Sequence, residues 1–494
     1  MELLPYYAPL IPLLAASILS PFTKALREYK RILNLSLVIT VASHIISLLL
    51  VIMPHGLLWI SRRPVLVTSF LRTTFLSSLY VDYISVFFIC LALGLGILVA
   101  LYSMHILKEN DAPELYYSLL NLVMASLFLL FTVGDLISLF ASWELMSITL
   151  YALIFLRRSE PLSLEAGTKY LIMSAISSAF IIYAISLTYG STGHLDFIGV
   201  QRALSHEGDL SMVYLAVIFF TVAFGFKAAV VPFHTWAPDV YQETIDPITA
   251  FLSGIASKAG IYALLRIYFL IFPLPGLDVF ISFLAAITMT LGNITALLQK
   301  NLKRLFAYSS ISHIGYILVG IAAGTPYGIL GALFHALNHA LMKPLVFFCT
   351  GELRRGYESV SLDKLEGFGR VSHELAFATS IGLLSLAGIP GLNGFISKFI
   401  LIAAAFGSGL AWLAIVAIIN SAISVAYYLR VLQVMFRKPK VEMTARALPS
   451  SALFPILCLT LLCIAIGLVP SPFAEWLSEA VKSSLGRAPL IISP

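Results

Sequence analysis

The chain has 494 residues, of which 59% are hydrophobic and 11% charged, and its formal net charge is +6. This composition leaves too little polar surface for a water-soluble globule, so it indicates an all-α protein that crosses a membrane many times. No soluble segment carries the basic face with interleaved aromatic residues that binds nucleic acid, so we expect the lipid bilayer, and not nucleic acid, as a partner.

Windows of about 20 apolar residues, the length that crosses a bilayer, predict about fourteen transmembrane helices. In chain order they lie at 3–20, 32–53, 79–102, 115–132, 134–156, 166–189, 211–231, 243–270, 277–298, 305–322, 326–349, 374–408, 411–434 and 450–469. We interpret 1–494 as one transmembrane domain, with three helices in 1–110, five in 115–270, five in 277–434 and a last one at 450–469. The first span lacks a basic leader region and a small-residue cleavage site, so we expect a helix there and not a signal peptide.

Two predicted spans are interrupted, namely the seventh and the twelfth. The seventh is cut by Val231-Pro232-Phe233-His234, and 374–408 contains Gly388, Pro390, Gly391 and Gly394. Proline removes a backbone donor, and at membrane depth the freed carbonyls are tolerated only where buried protein or water satisfies them. The breaks fall at matching places in helices 4–8 and 9–13, so they favour two five-helix repeats and point to a conduction path.

Loop charges predict the orientation in the cell membrane. The odd-to-even connections carry about 18 basic residues, namely Lys24, Arg27, Lys30, Arg31, Lys108, Arg157, Arg158, Lys300, Lys303, Arg304, Arg354, Arg355, Lys364, Arg370, Arg437, Lys438, Lys440 and Arg446. The opposite loops and the C-terminal tail carry about 6, namely Arg62, Arg63, Arg72, Arg202, Lys482 and Arg487. Because positive loops stay inside, we expect both termini outside.

Six ionisable side chains lie within the predicted spans: Glu144, Lys227, Lys258, His335, His339 and Lys398. Each charge at the bilayer centre costs at least about 2.5–3.5 kcal/mol, so this set indicates proton or ion movement. Glu144 has no countercharge at i±3 or i±4, so its partner must come from another helix, and a fixed structural ion pair is the alternative. Lys227 and Lys258 flank the first break, where polar backbone and water permit proton exchange, and snorkelling to an interface is the alternative.

His335 and His339 stand at i and i+4, so they share a helix face, which Lys343 continues. The spacing could bind zinc or haem, but the nearby ammonium and the lack of a carboxylate disfavour a cation. Imidazoles accept and donate protons, so the pair suits a relay, with a pair satisfied by neighbouring polar groups as the alternative. Lys398, in the second break, is the natural terminal site of the relay. His234, at the first break, is a candidate gate, and His313 either lines the path or packs in the core.

Five runs carry a family resemblance. They are KAAVVPFHTWAPDVY from Lys227 to Tyr241, FLSGIASKAG from Phe251 to Gly260, KRLFAYSSISHIGY from Lys303 to Tyr316, HALNHALMK from His335 to Lys343, and LAGIPGLNGFISK from Leu386 to Lys398. In this order and spacing the chain resembles the antiporter-like subunits of complex I (NADH-quinone oxidoreductase), Mrp-type cation/proton antiporters, membrane-bound hydrogenases and formate hydrogenlyases. Residues 236–242 are similar to the quinone-module-proximal subunit of complex I, and the histidine pair to the more distal and Mrp-type subunits.

The resemblance implies fourteen helices with inverted five-helix repeats, a polar axis in the membrane plane, and Lys227 as the partner of Glu144. It also implies other membrane subunits as partners and a proton, or else sodium, as the transported ion. We therefore expect Lys227 to pass a proton by way of Lys258, His335 and His339 to Lys398. The rivals are an Mrp-type sodium/proton antiporter subunit without redox chemistry, a non-transporting scaffold, and a self-contained transporter of an organic solute.

Cofactors are not expected in this chain. The cysteines Cys90, Cys349, Cys458 and Cys463 lie in hydrophobic stretches without the spacing of a zinc, disulfide or iron–sulfur site. No nucleotide, flavin or haem motif occurs either. Redox chemistry, if the complex performs any, is therefore expected in partner subunits.

Overall fold

The structure is a computed structural model that describes residues 7–24, 35–58, 65–68, 78–107, 112–157, 160–204, 210–357, 359–438, 448–485 and 490–492, with the main chain alone for 53–58, 65–68, 157 and 490–492. In chain order its elements are α1 (Leu10–Leu19, continued by a 3-10 turn at Ser20–Phe22), α2 (Leu35–Leu58), β1 (Val65–Thr68), β2 (Ser78–Val81), α3 (Tyr83–Ile106), α4 (Pro113–Thr132), α5 (Leu136–Ile154), α6 (Pro161–Thr192), α7 (Phe197–Ala203), α8 (Ser211–Ala228), α9 (Trp236–Glu243), α10 (Asp246–Ile271), α11 (Leu277–Leu298), α12 (Leu302–Ala322), α13 (Pro326–Tyr357), α14 (His373–Ala387), α15 (Asn393–Gly407), α16 (Ala411–Phe436), α17 (Ser450–Leu468), α18 (Ser471–Leu485) and β3 (Leu490–Ile492). Short 3-10 turns also occur at Phe155–Arg157, Leu362–Lys364 and Phe368–Arg370.

Within these described ranges, twelve helices are long and apolar enough to cross a membrane. They are α2 to α6, α8, α10 to α13, α16 and α17; three shorter apolar helices are Leu10–Phe22, α14 and α15. The predicted class of a helical, multi-pass membrane protein is therefore confirmed. The total of fourteen spans and the two repeats stay predictions.

Both predicted breaks are present. The seventh span ends at Ala228, three residues before its predicted end, because Ala229 adopts a positive φ of 62°, which is outside the helical region. The predicted span 374–408 divides into α14 and α15. By contrast, α13 continues past its predicted end at 349 to Tyr357, with Pro344 inside it.

Three short strands and a last helix were not predicted. β1 pairs antiparallel with β2, with Val65 opposite Val81, and parallel with β3, with Val65 opposite Leu490. Strands of three or four residues are invisible to a search for apolar windows of about 20 residues. The amphipathic α18 escaped the same search because polar and charged residues are spread along it.

The chain forms two compact units. Unit 1 consists of residues 1–228, 258–275 and 479–494, and unit 2 of 229–257 and 276–478. The predicted helix groups at 115–270 and 277–434 remain predictions.

A buried ion pair braces unit 1. The Arg266 guanidinium donates to both carboxylate oxygens of Asp82, with Nη1 at 2.7 Å from Oδ2, and to Ser85 Oγ at 2.9 Å. Asp82 also caps α3 by accepting from the Ser85 N–H at 2.8 Å. Burial alone would raise the pKa of Asp82, but the Arg266 charge and these hydrogen bonds hold it below its usual range.

Several charges used to predict orientation lie outside the described residues: Arg27, Lys30, Arg31, Arg62, Arg63, Arg72, Lys108, Arg158, Lys440, Arg446 and Arg487. One that is described, Lys303, behaves differently from a loop charge. It lies inside α12 and is fully buried, so it does not report on the loop. The bias toward the odd-to-even side, about 17 against 6 without it, is still strong.

Candidate functional site

Lys227 lies in the last turn of α8 in unit 1 and is only 1% exposed. Its Nζ donates to Tyr170 Oη at 2.8 Å and to Ser147 Oγ at 3.1 Å. The ammonium also lies 5.0 Å from the ring centre of Tyr170 and 5.6 Å from that of Trp143. Hydroxyl groups and aromatic faces thus replace the water that a buried cation loses.

Glu144 is half-buried on α5, beside Trp143 and one turn before Ser147. Its Oε1 accepts a hydrogen bond from Ser178 Oγ on α6. Both Glu144 and Lys227 belong to the described part of the chain, and no ion pair within 4.0 Å joins them. The contact that the resemblance implied is therefore not made directly, and each charged group is bonded to hydroxyl groups instead.

Lys258 is 1% exposed and lies two residues after a π-helical turn at Leu252–Ala256 within α10. Such turns interrupt the regular hydrogen-bond ladder and occur often at functional sites. Two residues on, a Cβ at Gly260 would lie 2.6 Å from the Phe224 carbonyl oxygen and 2.7 Å from the Ala228 nitrogen. Only glycine therefore allows this part of α10 to pack on the end of α8 that carries Lys227.

The segment after α8 contains His234, which is half-buried between two helices. Burial lowers the pKa of the His234 imidazole, and a hydrogen bond with the backbone of Pro232 partly opposes this. The Val231 N–H donates to Thr288 Oγ1 at 3.2 Å, so the broken backbone is partly satisfied by a side chain of α11. The predicted gating role of His234 stays a proposal.

Lys398 sits on α15 in unit 2, and its ammonium closes the end of α14. Nζ donates to the carbonyls of Leu386 at 3.0 Å and Ala387 at 3.1 Å, with Ser421 Oγ at 3.4 Å. These carbonyls are the unpaired acceptors of a helix C-terminus, where the helix dipole also favours a cation. Gly388, with a φ of 83°, makes the turn that brings the two half-helices into this arrangement.

His335 on α13 is fully buried and contacts side chains of both α12 and α15. Its Nδ1 lies 2.9 Å from Ser397 Oγ, next to Lys398 in sequence, and its Nε2 lies 3.0 Å from Nδ1 of His313. The two imidazoles stack with ring centres 5.2 Å apart. His313, which the sequence left between a path-lining and a core position, is thus in direct contact with His335.

His339 lies beside the same pair, with its ring centre 5.4 Å from that of His313. The third residue of that helix face, Lys343, donates from Nζ to Ser309 Oγ at 2.6 Å and to the Phe306 carbonyl at 3.0 Å. Ser309 Oγ is in turn hydrogen-bonded to Tyr428 Oη. The structure therefore brings His335, His339 and Lys343 to α12, and His335 also to α15.

Three side chains of this network, Ser309, Ser397 and Tyr428, were not predicted as site residues. Each is uncharged, so a search for intramembrane charges passes over it. The signals were present, since Ser309 and Ser397 belong to the quoted runs and Tyr428 to a Tyr-Tyr-Leu-Arg sequence.

A second charged cluster of unit 2 was also missed. Asp246, at the start of α10, lies 3.1 Å from Lys303 Nζ and 3.3 Å from an Arg354 guanidinium nitrogen. Lys303 Nζ also donates to the Thr244 carbonyl at 2.6 Å. Asp246 and Lys303 are buried and Arg354 is partly exposed, so the cluster ties α10, α12 and α13 together where they begin or end. Among the residues described, no group of three or more His, Cys, Asp or Glu side chains is placed to hold a metal ion.

Residues 133–424 match the family model described as NADH:quinone oxidoreductase/Mrp antiporter, TM. The chain belongs to this family. It is 35% identical over 425 residues to NADH-quinone oxidoreductase subunit N of Trichlorobacter lovleyi, covering 83% of this chain and 86% of that protein. It is 32% identical over 425 residues to F(420)H(2) dehydrogenase subunit N of Methanosarcina mazei, covering 83% and 85%.

The fold agrees with the family as well. The chain superposes with a TM-score of 0.88 and 26% identity on a chain of the membrane-bound sulfane sulfur reductase, described as an archaeal respiratory membrane complex, with 97% of each chain covered. The resemblance inferred from the five sequence runs is therefore confirmed. The family match includes all six predicted intramembrane residues, Glu144, Lys227, Lys258, His335, His339 and Lys398.

Proposed function

We propose that this chain is a proton-translocating, antiporter-like subunit of a multi-subunit membrane complex of the respiratory oxidoreductase or hydrogenase type. The observation that carries the proposal is the solvation of buried lysines inside apolar spans. Lys227 and Lys398 are 1% and 4% exposed, and each is surrounded by groups that can stabilise a proton-carrying ammonium. Because such charges are costly in a membrane, a chain retains them where protons or ions move. The relatives named above are subunits of complexes, which supports the same assignment.

In unit 1 the proposed switch is the separation of Glu144 from Lys227. Their attraction at 4 Å would be worth about 4 kcal/mol at an effective dielectric constant of 20. With the carboxylate held by Ser178 and the ammonium by Ser147 and Tyr170, hydrogen bonds to neutral groups take the place of a direct ion pair. A small movement of α5 or α6 that closes the pair would favour the proton on Lys227, and opening it would favour release toward Lys258.

In unit 2 the proposed proton carriers are His335, His339 and Lys398, with His313 in contact with the first. A neutral imidazole accepts a proton on one nitrogen and gives one up from the other, so His335 between His313 and Ser397 is suited to relay. Lys398 is the proposed terminal site. The carbonyls of α14 hold its ammonium until an acceptor takes the proton.

The proposed location is the cell membrane, with both termini outside. The excess of basic residues in the odd-to-even connections supports this orientation. A protease-accessible tag at either terminus, tested on intact cells and on inverted vesicles, checks it. We expect cleavage on intact cells only.

The test of function is ion pumping by the intact native complex in sealed vesicles. Lys258→Ala is compared with Lys364→Ala, which removes a lysine from an exposed turn. With equal assembly of both variants, we expect the proton gradient to be lost with Lys258→Ala and retained with Lys364→Ala. A gradient unchanged by Lys258→Ala would favour the scaffold interpretation.

The same vesicles distinguish protons from sodium. The family description includes Mrp antiporters, so a subunit that exchanges sodium for protons without redox chemistry is the second candidate. Proton translocation that follows substrate oxidation and is unchanged by sodium removal supports the first proposal. A gradient that requires sodium, with no redox substrate, supports the second.

A further inference from the structure

We propose that Tyr428 is a proton-relay residue that connects His313 to Ser309 and Lys343, so that the path in unit 2 has a branch reaching from His335 to Lys343. This inference rests on the proposed proton-translocating function. It assigns a role to a tyrosine of α16, a helix that contributes none of the intramembrane charges in the predicted path.

The contacts form an unbroken chain of hydrogen bonds. Starting at Lys343, Nζ donates to Ser309 Oγ at 2.6 Å, and Ser309 Oγ is bonded to Tyr428 Oη. Tyr428 Oη lies 3.2 Å from Nε2 of His313, whose Nδ1 lies 3.0 Å from Nε2 of His335. All five side chains are at most 1% exposed, so bulk water does not compete with these bonds.

This chain of hydrogen bonds spans a long distance, because its two ends lie far apart along one helix. Lys343 and His335 are eight residues apart on α13, which is about 12 Å along the helix axis. A proton cannot cross that distance in one hydrogen-bonded step. Ser309 and His313 on α12, with Tyr428 on α16 between them, supply the intermediate groups.

One choice of tautomers makes every bond point the same way. Lys343 donates to Ser309, the Ser309 hydroxyl to Tyr428, the Tyr428 hydroxyl to Nε2 of His313, Nδ1–H of His313 to Nε2 of His335, and Nδ1–H of His335 to Ser397. The opposite polarity requires Lys343 to accept from Ser309, which only a neutral amine can do. The direction of the whole chain is thus set by the protonation state of Lys343.

The proton step balances at every atom. Lys343 loses one proton to Ser309 Oγ, which passes its own to Tyr428 Oη, which passes its own to Nε2 of His313. His313 then gives the proton on Nδ1 to Nε2 of His335. Lys343 ends as the neutral amine and His335 as the imidazolium, while the three groups between them are unchanged in charge. No oxidant, reductant or other reactant is needed.

The neighbouring residue offers a matched control. Tyr427 is also 0% exposed, and its ring centre lies 4.4 Å from that of Tyr428. Its hydroxyl donates to Asn293 Oδ1 at 3.0 Å. It lies near the hydroxyls of Tyr428 and Ser309 but is not itself a link between Lys343 and His335. Tyr427→Phe and Tyr428→Phe therefore remove the same atom from adjacent buried rings, and only the second removes a link between Ser309 and His313.

The experiment measures proton translocation and its solvent isotope effect in sealed vesicles that contain the intact complex. We expect Tyr428→Phe to slow translocation by at least about tenfold, since a positioned proton carrier typically contributes 10²–10⁴-fold. Its solvent isotope effect should rise above the wild-type value because proton transfer becomes rate-limiting. Tyr427→Phe should keep both the translocation rate and the isotope effect within about twofold of wild type, a change far smaller than the loss of a proton carrier produces.

Ser309→Ala is the second variant, for the case in which Tyr428→Phe does not assemble. It should reproduce the loss and the raised isotope effect, and in combination with Tyr428→Phe should add nothing further, because both interrupt one chain. If assembled Tyr428→Phe and Ser309→Ala complexes pump like Tyr427→Phe, while Lys398→Ala abolishes pumping, the branch is wrong and the proposed function stands. If Lys398→Ala also pumps normally, the proposed function itself fails.

Discussion

Gly388→Ala tests whether the position of the Lys398 ammonium, and not only its presence, matters for proton translocation. Gly388 has a φ of 83°, and a Cβ there would lie 3.0 Å from Lys398 Cδ and 3.3 Å from Nζ. Gly391 is the matched control, because its φ is 88° and a Cβ there meets no atom within 4 Å. Both substitutions impose about 1–2 kcal/mol of left-handed backbone strain, and only the first displaces Lys398.

The displacement has a calculable consequence. A shift of a few tenths of an ångström weakens the bonds from Nζ to the Leu386 and Ala387 carbonyls, which now measure 3.0 and 3.1 Å. A hydrogen bond to a charged group is worth about 1.5–3 kcal/mol, and losing about 1.4 kcal/mol lowers the population of the correctly held ammonium about tenfold.

The assay compares pumping rate and thermal stability of the purified complexes. We expect both variants to lower the thermal midpoint, Gly388→Ala the more because it also weakens a hydrogen bond of Lys398, and Gly388→Ala alone to slow proton translocation by about tenfold, following the loss of one such bond. Equal pumping by the two variants would refute the reasoning. The ammonium would then tolerate displacement from the end of α14.

Two further substitutions probe unit 1. Asp82→Asn leaves the buried Arg266 guanidinium without its countercharge and should destabilise unit 1 by about 3–5 kcal/mol. Because the pKa of Asp82 is held below its usual range, the wild type should lose this extra stability only as the pH falls through that lowered pKa. The thermal midpoints of wild type and variant should therefore converge at acidic pH. Gly260→Ala places a Cβ 2.6 Å from the Phe224 carbonyl oxygen and should lower the stability by about 1–3 kcal/mol through overpacking. It should reduce pumping more than the control Gly407→Ala, where a Cβ meets no atom within 4 Å. Equal pumping by both glycine variants would show that α8 and α10 need not pack so closely.

The features that could be predicted from sequence are those with a strong local signature. Gly388, Pro390 and Gly391 predict the break that positions Lys398, since glycine and proline together interrupt a helix. The end of α13 was placed too early because the apolar run stops near Cys349, whereas the helix continues through the polar residues up to Tyr357. Hydropathy indicates which residues are suited to the membrane interior, and it therefore does not mark the end of a helix that continues through polar residues.

The contacts that complete the site have no local signature. Tyr428 meets Ser309 and His313 across 119 and 115 residues of sequence. Nothing near any of the three residues distinguishes Tyr428 from the equally buried Tyr427. The pairing of Lys303 with Asp246 was hidden for the same reason, because a lysine near a helix start reads as a loop charge until packing buries it.

Lys227 and Lys398, two buried lysines of the proposed path, differ in a way that bears on the direction of proton movement. Lys227 is held by the hydroxyls of Ser147 and Tyr170, which can donate as well as accept, so they can serve the lysine with or without its extra proton. Lys398 is held mainly by the carbonyls of Leu386 and Ala387, which can only accept and therefore favour the charged ammonium. A neutral amine keeps two N–H donors, so both carbonyls of the Lys398 site can stay bonded when its proton leaves, but they lose the positive charge that strengthens those bonds. The hydroxyls around Lys227 can instead reorient and donate to the neutral amine. In the proposed path, this asymmetry favours Lys398 as the residue that holds a proton and Lys227 as the residue that exchanges one.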